Sequence, residues 1–217
     1  MKNRSQVNNK SAVLQMAFVG VVAITIGIFC MLDCVVIYGL PVITSISASA
    51  TTGNMTGMLL PFALGCIFTY CISYVGYSTA ERRIVNVMGV CFLVVALQMC
   101  NSVYITQPNV GVFGLTPETS NILHMIGAIG GFGLMWVWVT FFFTRTNPEC
   151  SPTRRKKTRN IIYYTLGLVM LFGVLLLIIG AFGAFNDDFP HTWLAEEILL
   201  LPAGVALLIK SGVFMAD

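Results

Sequence analysis

The sequence predicts an all-α, polytopic membrane protein: a single domain, 1–217, folded as a compact bundle of six transmembrane helices with both termini cytoplasmic. Three observations predict it. The chain is 57 % hydrophobic and 10 % charged, with a mean hydropathy of +0.84, whereas a soluble domain carries about 25 % charged residues. Six apolar stretches lie at about 13–38, 58–77, 84–104, 121–143, 160–185 and 191–214, each near the ~20 residues that cross a hydrocarbon core. All twelve Lys and Arg residues fall in four clusters that can share one side: Lys2, Arg4 and Lys10; Arg82 and Arg83; Arg145 to Arg159; and Lys210. Basic residues beside membrane segments stay on the cytoplasmic side, and the three intervening connections contain none.

The first stretch follows Lys2, Arg4 and Lys10, which resemble the basic start of a signal peptide. Its apolar run exceeds the roughly 7–15 residues of a signal-peptide core and holds Asp33 near its far end, so it reads as a span. The first external loop is rich in Ser, Thr, Ala and Gly and carries the sequon Asn54-Met55-Thr56. The third stretch ends in Gln98 and Asn101. Before the fourth, Thr116-Pro117-Glu118 reads as an N-cap, a first-turn proline and a first-turn acid. Gly127 and Gly131 in the fourth stretch, Gly173 and Gly180 in the fifth, and Ala203 and Gly204 in the sixth let backbones approach closely. Pro202 removes the amide that would bond the Ile198 carbonyl.

Six of the seven Cys residues lie in apolar stretches and Cys150 in the basic loop, so no disulfide framework is indicated. The longest polar stretch is Arg145 to Asn160, which leaves no room for a soluble domain. The net charge of +3 marks topology, and nucleic acid is not an expected partner. The lipid bilayer is, together with a lipid or small-molecule ligand; a homo-oligomer or a membrane partner is compatible with the packing faces.

The candidate site rests on the cost of polar groups inside a bilayer, which usually makes them face the bundle interior. Six of the nine acids (Asp33, Glu118, Asp187, Asp188, Glu196 and Glu197) and both histidines (His124 and His191) fall on the external half. Counting from His191, Glu196 and Glu197 sit about 7–9 Å further along their helix. His124 shares a helical stripe with Gly127, Ala128 and Gly131. Asp33, Asn101, His124, Glu196 and Glu197 therefore form the predicted ligand-binding set, an outward-facing polar pocket for a lipid headgroup, a small ligand or a cation. Carboxylate and imidazole groups suit a divalent cation as well as acid–base chemistry. No other cofactor is expected, since no zinc-type Cys/His spacing, hydrolase motif or phosphate-binding glycine loop occurs.

The pattern resembles the six-helix membrane family of damage-regulated autophagy modulators and GPI-anchor remodelling proteins, with its uncharacterised bacterial relatives. The residues that carry the resemblance are Leu40-Pro41-Val42-Ile43, then His124 with Gly127 and Ala128, then Ala195-Glu196-Glu197. Glu197 stands where eukaryotic members tend to have an aromatic residue, and Ile43-Thr44-Ser45-Ile46-Ser47 replaces their first-loop Ile-Ser-Asp-Thr-Gly motif. The resemblance implies the fold and a membrane-lipid setting, not a reaction. Three functions follow as expectations: a ligand-binding protein of the cytoplasmic membrane; an intramembrane hydrolase or lipid-remodelling enzyme using His124 and Glu196 or Glu197; and a non-catalytic membrane subunit or interaction protein.

Overall fold

The computed structural model describes residues 10–37, 39, 44–53, 55–146, 151–183, 185 and 190–214. Several residues singled out above, among them Lys2, Arg4, Leu40 to Ile43, Asn54, Cys150, Asp187 and Asp188, lie outside these. The described chain is helical, and its only paired extended residues are the isolated bridge Val110–Leu115. In chain order the helices are α1 (Lys10–Met31), continued by the π-helical turn Leu32–Ile37; α2 (Ile46–Ser49); α3 (Thr56–Ser73); α4 (Thr79–Leu97); α5 (Pro117–Val137), continued by the π-helical turn Trp138–Phe142; α6 (Arg154–Ala181); and α7 (His191–Lys210).

Two layers of three long helices make up the bundle. In one, α7 packs between α6 and α1; in the other, α4 packs between α3 and α5. Contacts between the layers are sparser and run mainly along α1 with α3 and α5 with α6. Small residues set the tight seams. Gly20 and Gly204 face each other across α1 and α7, so a Cβ at Gly204 would lie 2.6 Å from the Gly20 carbonyl oxygen. Gly127 meets the Cys91 carbonyl of α4, and Gly173 meets the Ala195 carbonyl of α7. Gly204→Ala is therefore expected to cost about 1–3 kcal/mol by overpacking, read as a lower midpoint of thermal unfolding in detergent. An unchanged midpoint would show that the α1–α7 seam is not tight.

Large apolar side chains also cover the outside. Phe18 and Phe29 of α1, Met58 and Phe62 of α3, and Leu168 and Phe172 of α6 are all exposed. A surface of this kind marks a membrane or partner interface. Five helical segments are long and apolar enough to cross a membrane: Ser11–Ile37, Thr56–Ser73, Pro117–Phe142, Arg154–Gly180 and His191–Lys210. The predicted third span is the exception. Helix α4 begins at Thr79, earlier than expected, because the Ser78 hydroxyl accepts the Glu81 amide at 3.1 Å. It thereby draws Glu81, Arg82 and Arg83 into its first turns. It also ends at Leu97 and not near 104, because the Gln98 carbonyl turns away to His124.

Candidate functional site

Helix α2 has only four residues, far fewer than an isolated helix needs to hold together in water. Tertiary bonds hold it. Ser45 caps it locally, its hydroxyl accepting the Ala48 amide at 2.8 Å. From α7, Glu196 accepts the Ile46 amide at 2.6 Å through Oε2 and the Ser47 hydroxyl at 3.3 Å through Oε1. At the other end of the same loop, Asp33 Oδ2 accepts the Thr56 amide at 3.0 Å, which caps α3 from α1. The Thr56 hydroxyl in turn donates to the Ser49 carbonyl at 3.0 Å. The π-helical turn at Leu32–Ile37 buries Asp33 and Cys34 against this loop, where Cys34 lies 4.0 Å from the Thr52 and Thr56 hydroxyls. Two carboxyl groups thus pin the first connecting loop into the end of the bundle as a plug.

Glu197, the neighbour of Glu196, is used differently. It is buried, and neither carboxyl oxygen has a hydrogen-bond partner. It lies directly on Gly27 of α1, where a Cβ would collide with Oε1. Asp33 Oδ1 is likewise buried without a partner.

His124 belongs to a third group. Buried on α5, it places Nδ1 2.8 Å from the Gln98 carbonyl, and one turn earlier the Ser120 hydroxyl reaches Gln98 Oε1 at 3.2 Å and the Met99 carbonyl at 2.9 Å. Asn101 is exposed in the loop after α4, its amide donating to Asn121 Oδ1 at 2.8 Å. The structure therefore divides the predicted set. Asp33 and Glu196 share the plug, Glu197 sits on Gly27, and His124 and Asn101 fasten the loop after α4. No hydrogen bond links these three groups among the described residues, nor is there a cluster of three His, Cys, Asp or Glu side chains placed to hold a metal. Cys100, between Glu196 and Ser45, is buried, and burial pushes its thiol up to about 12. At pH 8 it carries almost no thiolate, so in native protein a maleimide should leave it unmodified, as peptide mass spectrometry would read. Labelling there at the rate of an exposed thiol would contradict this placement.

Sequence reasoning missed two features. The first is an apolar slot of about 50 Å³ between the layers. Ile46, Ser47 and Glu196 close one end, Tyr70 and Trp138 the other, and Ala63 and Ala128 lie along its length. The second is Glu81, read only as a cytoplasmic-side acid but fully buried. It accepts the Tyr74 hydroxyl at 2.7 Å, the Tyr77 amide at 2.8 Å and Trp138 Nε1 at 3.2 Å. Burial, then the Glu81 carboxylate beside it, push the Tyr74 hydroxyl well above the usual tyrosine range. The signal was present in Ser78-Thr79-Ala80-Glu81, a capping-box pattern.

Comparison of the chain with protein-family models, with curated proteins and with solved structures found no match.

Proposed function

We propose that the chain is a multi-pass protein of the cytoplasmic membrane whose slot between the two helix layers takes the last few carbons of a membrane lipid's hydrocarbon chain, the most that about 50 Å³ accommodates. The observation that carries this reading is the slot itself, lined almost wholly by apolar side chains and closed at one end by the plug. Five helices long and apolar enough to span a membrane support a bilayer setting, where hydrocarbon chains are the abundant apolar ligand. Helix α4 serves as the sixth span: its 19 residues reach roughly 28 Å, close to the ~30 Å core. The clustering of every Lys and Arg supports cytoplasmic termini. The family resemblance in the Leu40, His124 and Glu196 regions belongs to the same proposal, since it implies a lipid setting.

The predicted polar residues then act as fasteners around the slot. A non-catalytic role in assembly is the second reading, favoured by the use of Asp33, Glu196 and His124 on the protein's own backbone groups. Among the described residues no hydrogen bond pairs His124 with Glu196 or Glu197, so nothing in the geometry favours the hydrolase reading.

A brominated acyl chain separates the two readings. With Trp136→Phe and Trp193→Phe, fluorescence reports Trp138 alone, which is 1 % exposed and lines the slot. Annular lipid does not reach it. Binding in the slot predicts saturable quenching by the brominated chain, lost when Ala63→Leu and Ala128→Leu fill the space. Absence of saturable quenching would end the lipid reading and leave the assembly role.

A further inference from the structure

Helix α4 stops short of the bilayer face opposite the Lys and Arg clusters, and two separate measures give nearly the same gap. Glu81, Arg82 and Arg83 occupy its first turns, so its charge-free part runs from Ile84 to Leu97. Those fourteen residues rise about 21 Å, about 9 Å less than a ~30 Å hydrocarbon core. Across the seam, His124 Nδ1 lies 2.8 Å from the Gln98 carbonyl. The end of α4 is therefore level with a residue seven positions beyond Pro117, where α5 begins, or about 10 Å along that helix. The chain after Gln98 fills this recess. The Asn101 amide is fastened to Asn121 at 2.8 Å. Val110 and Leu115 pair through bonds of 2.8 and 3.0 Å, and the Val112 amide returns to the Leu97 carbonyl at 3.0 Å. The tip between the paired residues is thereby held at the level of the last residue of α4, and φ values of +68° at Gly111 and +60° at Gly114 close it. What the loop displays is apolar: Val112 is 68 % exposed, Phe113 66 %, and Val103, in the preceding turn, 90 %.

We infer that the loop after α4 is a lip inserted into the lipid leaflet opposite the basic clusters, with Val103, Val112 and Phe113 against the acyl chains of that leaflet and completing the span that α4 leaves short. The inference rests on α4 crossing the bilayer, as proposed above, and not on the slot holding lipid. Three features of the loop fit lipid as its partner. No residue from Gln98 to Pro117 is charged, so inserting the lip desolvates no ion. Backbone groups in hydrocarbon must be satisfied within the protein, and the amides of Val110, Val112, Gly114 and Leu115 all donate to its carbonyls. Thr106, Gln107 and Asn109, polar and exposed, leave a crest for water between the turn at Val103 and the tip at Phe113. The apolar composition that continues past Leu97 thus serves the same hydrophobic thickness without a helix.

The test places reporter tryptophans in the full-length chain that keeps Trp138 and carries Trp136→Phe and Trp193→Phe, reconstituted in phosphatidylcholine vesicles with or without brominated acyl chains. Quenching is read as the increment over that parent in the same vesicles. Val90→Trp, on the exposed face of α4, reports whether α4 lies in the bilayer. Phe113→Trp should be quenched by the brominated chains to a degree comparable with Val90→Trp, and iodide in the water should quench it several-fold less than Gln107→Trp. Val103→Trp is the second reporter should Phe113→Trp not assemble, and the same result is expected of it. Iodide quenching at residue 113 equal to that at residue 107, with no effect of bromine, would put the tip in water and overturn the lip. Shielding from both quenchers would mean that a second copy or another protein covers the tip, which overturns lipid as the partner. A Val90→Trp signal indifferent to bromine would remove α4 from the bilayer and the lip with it. Filling the slot with Ala63→Leu and Ala128→Leu should change none of these readings, which separates failure of the slot from failure of the lip.

Discussion

Glu81→Ala should lower stability by at least ~3 kcal/mol, at about 1–3 kcal/mol for each of the buried donors it strands. The carboxylate accepts the Tyr74 hydroxyl, the Tyr77 amide and the Trp138 indole, and it joins α3's exit, α4 and the π-helical turn after α5 at one point. The rings reinforce this junction: Trp138 packs edge-on against Tyr74 at 5.2 Å and against Phe143 at 4.8 Å between centroids. Alanine would leave a void there as well as unpaired donors. For a chain of this size the loss corresponds to a fall of on the order of 10 °C in the unfolding midpoint, measured in detergent with Trp138 fluorescence as a local probe. Glu81→Gln should lose less, because one amide oxygen still accepts. An alanine variant that melts within a degree or two of the parent would mean that the junction is not a keystone of the fold.

The contrast between Glu81 and α5 shows what the sequence could disclose. Thr116 and Pro117 marked the start of α5 correctly, because capping is local: the Thr116 hydroxyl accepts the amide of Thr119, three residues away. The end of α4 was misread for the opposite reason. Met99, Cys100, Val103 and Tyr104 continue the apolar composition, so hydropathy gives no stop. The helix ends because the Gln98 carbonyl goes to His124 and the Leu97 carbonyl to the Val112 amide. Those partners are distant in sequence. Helix α2 was invisible on the same grounds, since its clamp is Glu196, 150 positions from Ile46.

Burial proved easier to read than pairing. Asp33, His124, Glu196 and Glu197 were expected inside the bundle, and all four are buried. Their grouping depends on which helices are neighbours, which composition does not encode. Helix α7 lies between α6 and α1, while α5 packs on α4; His124 therefore meets Gln98 and Glu196 meets the first loop. Equal depth in a membrane is not proximity. The slot left still less trace, because Ala63, Ala128 and Leu200 are ordinary apolar residues until two layers fail to close around them.

Glu196→Ala should release the plug while leaving the six long helices folded. The substitution strands the Ile46 amide and the Ser47 hydroxyl, and at about 1–3 kcal/mol per buried unpaired donor the closed loop loses on the order of 3 kcal/mol. That is roughly a hundredfold in its opening equilibrium. What then remains on α2 and its approach is the Thr56 hydroxyl on the Ser49 carbonyl and the Trp193 amide on the Thr44 carbonyl, while Asp33 fastens only the far end of the loop. Ala48→Cys reports the motion, because Ala48 is buried in α2 and its side chain takes no part in the network. In the parent, a membrane-impermeant maleimide should modify residue 48 slowly; with Glu196→Ala the rate should rise by two orders of magnitude, and with Glu196→Gln by less, because its amide oxygen still accepts the Ile46 amide. The same experiment bears on sidedness: if the plug faces away from the Lys and Arg clusters, labelling from the outside of intact cells suffices. Should the rate at residue 48 be indifferent to Glu196, the first loop is held by its own local turns, and the slot has no carboxyl-latched end.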